Sequence, residues 1–306
     1  CAFVCGAARS GTSLAVDLLG MHSELTPVYE TEFVTKVAQD LDGEGLDFPE
    51  FRERFLSYME EWSRPLPGRP GSSKSKDEKY FHGPHHLLFG RELALRLARR
   101  MVEEVRAGKP VVAALADMCN GLFLDHMRKH GKRRVVNKTP SYVLILPVVA
   151  ALSPQAKVIH CVRDGRDAGL SVLPKPFGPA ALEDAPDWWA ARVEKAVAWG
   201  LANPDRYLQV RYEDLVRRPR RELARMLAFL GERDESREIL RRRGQLVAIS
   251  EEKIGRWRSL RPEELALFEG RAAAALRHFG YAAAAAGEGP EAEPSEAEEA
   301  SEEEEE

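Results

Sequence analysis

The sequence predicts an α/β fold in three layers, a central and mostly parallel sheet flanked by helices. Three observations predict it. Residues 1–5 (Cys-Ala-Phe-Val-Cys) alternate too little for a solvent-facing strand, and a Gly-rich loop at 6–13 carries them into a helix over about 12–21. A second unit has the same order: a buried strand at Lys157–Val162, a turn at 163–166 and a helix starting at 167 and running to 173. A third apolar strand lies at Tyr207–Arg211, and short apolar strands separated by helical stretches indicate a parallel sheet covered on both faces.

The helical layers come from apolar residues recurring at three and four positions in Arg91–Arg106, Val111–His130, 188–203, 220–230 and 262–279. Residues 64–90 break that periodicity with Pro65, Pro67, Gly68, Pro70, Gly71, Ser72, Ser73 and Ser75. This stretch reads as a long mobile loop, and a loop of that length over an α/β sheet is expected to be a lid on an acceptor site. No internal repeat is present.

Charge divides the chain in two. The 45 basic and 49 acidic residues give a net charge of −4, but residues 287–306 hold 11 Glu and no Lys or Arg, so the body is basic by seven charges. The Glu-rich tail cannot bury apolar surface and is expected to be disordered. Residues 1–286, with 44% of the chain hydrophobic, are expected to form one domain with a sizeable core. The longest apolar run, 142–152, contains Pro147 and is far shorter than the roughly 20 residues needed to cross a bilayer, so no membrane span is expected. No basic segment precedes an apolar stretch at the start, and Cys1, Cys5, Cys119 and Cys161 offer no C-x-x-C pair. A reducing, cytoplasmic location is expected unless a targeting or anchor segment precedes Cys1.

The loop 6–13 carries the first chemistry. Gly6 and Gly11 stand five apart between strand and helix, the P-loop-like arrangement in which backbone N–H groups and a helix N-terminus cradle an anion. In a nucleoside-triphosphate loop the residue after the second Gly is Lys and the next hydroxyl holds Mg²⁺. Here Thr12 stands at that Lys position and the cation is Arg9, inside the loop. That suits a phosphate or sulfate better than Mg-ATP; the bland alternative is a turn that merely starts a helix.

Gly6-Ala-Ala-Arg-Ser-Gly-Thr-Ser13 resembles the 5′-phosphosulfate loop, G-x-P-[RK]-S-G-T-T, of sulfotransferases that use 3′-phosphoadenylyl sulfate (PAPS), with Ala8 in place of Pro and Ser13 in place of the last Thr. The Arg-bearing branch that includes the tyrosylprotein sulfotransferases is the nearest, and the resemblance runs to about residue 281. It implies that Arg9, Ser10, Gly11, Thr12 and Ser13 hold the phosphosulfate. Val162-Arg-Asp-Gly-Arg-Asp-Ala-Gly-Leu-Ser171 resembles the 3′-phosphate motif and implies that role for Arg163 and Ser171, with Lys175 as a further cation; an Arg fork and a hydroxyl near a helix N-terminus suit a dianion. On the residues alone, an Arg163–Asp164 ion pair and a surface Ser171 stay open.

Asn137-Lys138-Thr139-Pro140 resembles the family's N-K-[TD]-P segment, implying that Lys138, presented from a loop, contacts the transferring sulfuryl group. The base of the tyrosylprotein branch is a Glu twenty-one residues after the loop Arg and followed by Thr, which points to Glu30 with Thr31 behind it; Glu32 competes for the role. Tyr212-Glu-Asp-Leu resembles Y-E-[DQ]-L, whose Tyr approaches the adenosine, and Lys253-Ile-Gly-Arg-Trp resembles the late loop that covers the cofactor, implying contacts from Gly255, Arg256 and Trp257. Gly255 stands where the branch has a Ser that aids the sulfuryl group. His22, Trp188, Trp189 and Trp199 read as packing residues, and no His or Cys cluster has metal spacing.

The resemblance therefore implies in-line sulfuryl transfer from PAPS to an acceptor hydroxyl, with Glu30 as base, Arg9 and Lys138 stabilising charge, and no metal. The acceptor is a protein tyrosine, a glycan or a small molecule. The body's excess positive charge then serves one anionic nucleotide and not nucleic acid. Two alternatives stand beside it: an ATP-dependent small-molecule kinase of the P-loop class, and a non-catalytic anion-binding module.

Overall fold

A computed structural model describes residues 1–42, 47–64, 88–243, 247 and 249–281. The expected lid at 64–90 lies outside the described residues apart from Arg64 and 88–90, and so does the whole tail 287–306.

Five parallel strands, β1 (Ala2–Cys5), β2 (Leu25–Tyr29), β3 (Arg134–Lys138), β4 (Lys157–Val162) and β5 (Tyr207–Arg211), stand in the order β2-β3-β1-β4-β5. Central β1 is buried throughout, as the unbroken apolar run predicts. The chain fills one side of β1 first, with β2 and β3, and then crosses to β4 and β5 on the other. This reversal opens a crevice beyond the carboxyl ends of β1 and its neighbours, where ligands of open α/β sheets bind.

Sequence patterns missed β2 and β3. Pro27 sits inside β2, which is tolerated because β2 is an edge strand, and the polar Asn137 and Lys138 end β3. Lys138 is accordingly the last residue of a strand, paired in register with Tyr29, and is not presented from a loop.

The helices are α1 (Thr12–Gly20), α2 (Phe33–Asp42), α3 (Phe48–Trp62), α4 (Arg91–Arg106), α5 (Val111–His130), α6 (Leu146–Leu152), α7 (Gly165–Val172), α8 (Ala185–Ala202), α9 (Tyr212–Arg217), α10 (Pro219–Leu230), α11 (Ser236–Arg243), α12 (Pro262–Arg271) and α13 (Ala273–His278). Local chemistry sets several ends. Asp47 caps α3 by accepting the Glu50 N–H at 2.9 Å, and α10 starts on Pro219 and stops at Gly231 in the left-handed region. The helix expected over 262–279 is two helices, broken at Ala272. The apolar run 142–152 divides into a 3₁₀ turn, Pro140–Leu144, and α6. No helix among the described residues is long and apolar enough to cross a membrane.

The larger core cluster joins the sheet to α1, α4, α5 and α10; a smaller one gathers Val162, Trp189, Phe268, Leu276 and Phe279 under α7. Trp189 is fully buried, and a Cβ on Gly165 would lie 2.5 Å from its ring, so the first turn of α7 can approach α8 this closely only with glycine there. His22 is buried and Trp199 packs on Tyr207, both as the packing reading expects.

Candidate active site

A cavity of about 730 Å³ opens beyond the carboxyl ends of the strands. Its floor is the 6–13 loop. Gly6 has φ 155°, and a Cβ there would fall 2.2 Å from the backbone oxygen of Cys161 on β4; Gly11 has φ 87°, and its Cβ would fall 2.5 Å from Tyr212 Cδ2. Both glycines are thus required by backbone conformation and by close approach. Arg9 also holds a left-handed φ, 73°, in a non-glycine residue. Its Nε donates to Ser171 Oγ at 3.1 Å, which joins the loop to α7. Ser10 Oγ is buried with no partner, and Thr12 opens α1 without a side-chain cap. Thr12 and Ser13 both line the cavity.

Across the floor, Glu30 directly follows β2 and Lys138 ends β3. The Glu30 N–H donates to the Lys138 carbonyl at 2.8 Å, the Glu30 carbonyl accepts from Trp62 Nε1 at 3.2 Å, and the two side chains form a close ion pair. Glu30 has φ 52°, a conformation held by these two backbone bonds. Its side chain is 36% exposed whereas that of Lys138 is 4% exposed, so the carboxylate faces the cavity and the ammonium is sunk beneath it.

A buried network behind them explains why Glu-Thr and Asn-Lys-Thr occur together. Asn137 Nδ2 donates to Thr31 Oγ1 at 2.7 Å, the Thr31 N–H donates to Thr139 Oγ1 at 3.0 Å, and the Tyr142 hydroxyl meets Thr31 Oγ1 at 2.7 Å. Glu32, the competing base, accepts from Ser141 Oγ at 2.6 Å. Burial raises its pKa, with the Glu30 charge pushing the same way, so Glu32 favours its neutral form more than an ordinary carboxyl does.

Arg163 directly follows β4 and is buried. It donates to the Arg9 carbonyl at 3.2 Å and closely to the Lys253 carbonyl, lies over the Tyr212 ring at 4.8 Å, and leaves Nε without a partner. The local pairing that the residues left open, Arg163 with Asp164, is absent. Asp164 instead caps α7 and pairs with Arg166 at 2.7 Å, and Arg163 reaches Asp167 at 3.6 Å. Sequence reasoning had no place for Asp167, yet its carboxylate accepts the N–H groups of Gly255 at 2.7 Å and Trp257 at 2.8 Å. Those two bonds moor the 253–257 segment to α7.

The structure brings Glu30, Arg9, Lys138, Gly11, Thr12, Ser13, Arg163 and Tyr212 to one cavity, with Ser10 buried in its floor and Ser171 bonded to Arg9. It does not bring Lys175, Gly255, Arg256 or Trp257 there. Lys175 and Arg256 are exposed away from the lining, Gly255 holds the loop turn with φ 77°, and Trp257 packs on Arg166 at 3.8 Å. Ser250 and Lys253 line the cavity from that segment instead. Trp188, read as packing, also lines it, together with Leu14, Leu144, Phe177 and Arg192, none of which carries a sequence signal beyond helical or loop position.

An orphaned Ser10 hydroxyl, an orphaned Arg163 Nε and a glycine-shaped loop at the start of α1 fit a ligand with two separate anionic groups. Among the described residues no three His, Cys, Asp or Glu are grouped as metal ligands.

The chain is similar to protein-tyrosine sulfotransferase 1 of Danio rerio, 30% identical over 115 residues, which cover 35% of this chain and 32% of that protein. It spans less than half the length of the curated relatives it matches. In fold it resembles the sulfotransferase domain of the Synechococcus PCC 7002 olefin synthase (TM-score 0.58, 23% identity, covering 92% of this chain and 94% of that one) and sulfotransferase STF9 from Mycobacterium avium (TM-score 0.51, 14% identity, covering 91% and 76%). The family model described as the sulfotransferase family matches residues 2–236, over the whole sheet and its phosphate loop, and the chain belongs to that family.

Proposed function

We propose that this chain moves a sulfuryl group from PAPS to an acceptor hydroxyl. The observation that carries the reading is the meeting of a strand-end carboxylate, Glu30, with Lys138 in the same cavity as an arginine-bearing phosphate loop. When bound, PAPS supplies the activated sulfuryl group. Arg9, Ser10 and the first N–H groups of α1 hold its phosphosulfate end, while Arg163 and Ser171 hold the 3′-phosphate, with Tyr212 beside the adenosine. Glu30 takes the proton of the acceptor hydroxyl. Lys138 and Arg9 stabilise negative charge on the transferring group and on the phosphate it leaves, so positioning and electrostatics do the catalysis without a protein-bound intermediate.

Both carboxyls line the cavity, and Glu30 is the better base of the two because its side chain is the more open one beside Lys138, whereas Glu32 is tied to Ser141 and its pKa is raised by burial. The acceptor is a tyrosine, a sugar or a small hydroxyl compound. The free thiols of Cys5, Cys119 and Cys161 are buried and fit a reducing compartment. The test is a transfer assay with ³⁵S-labelled PAPS and a panel of phenols, sugars and tyrosine peptides, run beside ATP with Mg²⁺. Label on an acceptor supports the reading. Binding of ATP in preference to PAPS overturns it in favour of a kinase, and tight PAPS binding without transfer to any acceptor favours a binding module.

A further inference from the structure

Most cations at the cavity already have partners. Lys138 pairs with Glu30, Arg163 is held by two carbonyls and Asp167, and Arg9 is bonded to Ser171. Arg192 on α8 differs. Its guanidinium is half-buried, lies 4.0 Å from the Trp188 ring centre and donates to the Trp188 carbonyl at 2.8 Å, and among the described residues no carboxylate pairs with it. Burial, with no charged neighbour to oppose it, lowers its pKa to about 10. A guanidinium removed from water without a counter-charge is costly, so the site is incomplete until an anion enters it.

Its position says which ligand brings that anion. The groups suited to the donor come from β1, β4 and α7. Arg192 comes from α8, which packs on the Pro140–Leu144 turn directly after Lys138. Trp188 lies against it, and the same cavity is lined by Leu144 and by Phe177, which is 59% exposed. Apolar side chains beside a cation with no carboxylate partner recognise an apolar body that carries one anionic group.

We propose that Arg192 is the anion subsite of the acceptor pocket, and that the acceptor is a hydroxy acid, an apolar body bearing both the accepting hydroxyl and a carboxylate. The guanidinium fork suits a carboxylate in a two-bond arrangement that Lys does not reproduce. This inference rests on the sulfuryl-transfer reading, and its test separates the two.

The protein is saturated with PAP, the desulfated donor, and titrated by calorimetry with 4-hydroxyphenylacetate and with its uncharged amide. The acid is expected to bind at least about tenfold more tightly than the amide. Arg192→Gln removes that preference, Arg192→Glu reverses it, Arg192→Lys keeps part of it, and all three leave PAP affinity within about twofold and the melting temperature close to that of the parent. Equal binding of acid and amide, or no binding of the acid at about 10 mM, overturns the subsite. A tenfold loss of PAP affinity in Arg192→Gln also overturns it by assigning Arg192 to the donor. Absence of PAP binding in the parent protein sinks the sulfuryl-transfer reading itself, whereas PAP binding without acid preference sinks only the subsite.

Discussion

Glu30 and Lys138 are joined twice: the Glu30 N–H reaches the Lys138 carbonyl at 2.8 Å, and their side chains form an ion pair at the mouth of the sheet. The residues are 108 positions apart in the chain, and the parallel pairing of β2 with β3 brings them together. One strand end therefore delivers a carboxylate and the next a buried cation, fixed relative to each other by backbone.

Glu30→Gln keeps the shape and the backbone bonds but removes the basic carboxylate. Turnover is expected to fall by roughly 10²–10⁴-fold, with the dissociation constant for PAP unchanged within about threefold. Glu32→Gln removes a carboxyl whose pKa burial raises and which is tied to Ser141, and it is expected to cost less than about tenfold. Steady-state rates and a PAP titration on both variants check the order; a larger loss in Glu32→Gln would move the base.

Asp167→Asn loses the charge facing Arg163 and one of the two acceptors that moor Gly255 and Trp257. Affinity for PAP is expected to drop about tenfold while affinity for AMP, which lacks the 3′-phosphate, stays level. An equal drop for both nucleotides would mean that Asp167 supports the fold generally and not the 3′-phosphate site.

The two loop glycines are expected to fail differently. Gly6→Ala puts a methyl into the backbone of Cys161, which cannot turn aside, and soluble folded protein should be lost. Gly11→Ala meets the Tyr212 ring, which can shift, and carries a positive φ costing about 1–3 kcal/mol. It should fold with a lowered melting temperature and weakened PAP binding. Thermal melts and expression yields distinguish the two.

Acid is expected to destabilise the protein through two buried imidazoles. Burial lowers the pKa of His160 to about 3 and that of His126 to about 4, against about 6.5 in the unfolded chain. Both are depressed bases, so their neutral forms support folding above pH 6.5, and below it the unfolded state binds the extra protons. Each then removes up to roughly 1.4 kcal/mol of stability per pH unit between about 6.5 and its folded pKa. Denaturant melts from pH 7 to 4 should show this slope, and His160→Phe should flatten it; a slope unchanged in that variant counts against the assignment.

The sequence made the phosphate loop legible because its requirements are written in residue types. Gly6 and Gly11 occupy positions that tolerate no Cβ, and Arg9 supplies charge where a Walker Lys is missing. Strands β1, β4 and β5 were legible as apolar runs. Strands β2 and β3 were not, because Pro27 interrupts one and Asn137 and Lys138 make the end of the other polar.

By itself the sequence determined the order of strand, glycine loop and helix, and the cations and hydroxyls available to an anionic donor, since backbone conformation and charge are properties of single residues and their near neighbours. Tertiary structure decided which of them meet. Strand register joined Glu30 to Lys138, and the docking of 253–257 on α7 made Asp167 a mooring point, drew Lys253 to the cavity and left Arg256 and Trp257 outside it. The packing of α8 placed Arg192 on the cavity wall, against Trp188 and with no carboxylate partner among the described residues. Contacts of this kind join residues tens of positions apart, and periodicities of two and 3.6 residues carry no information about them.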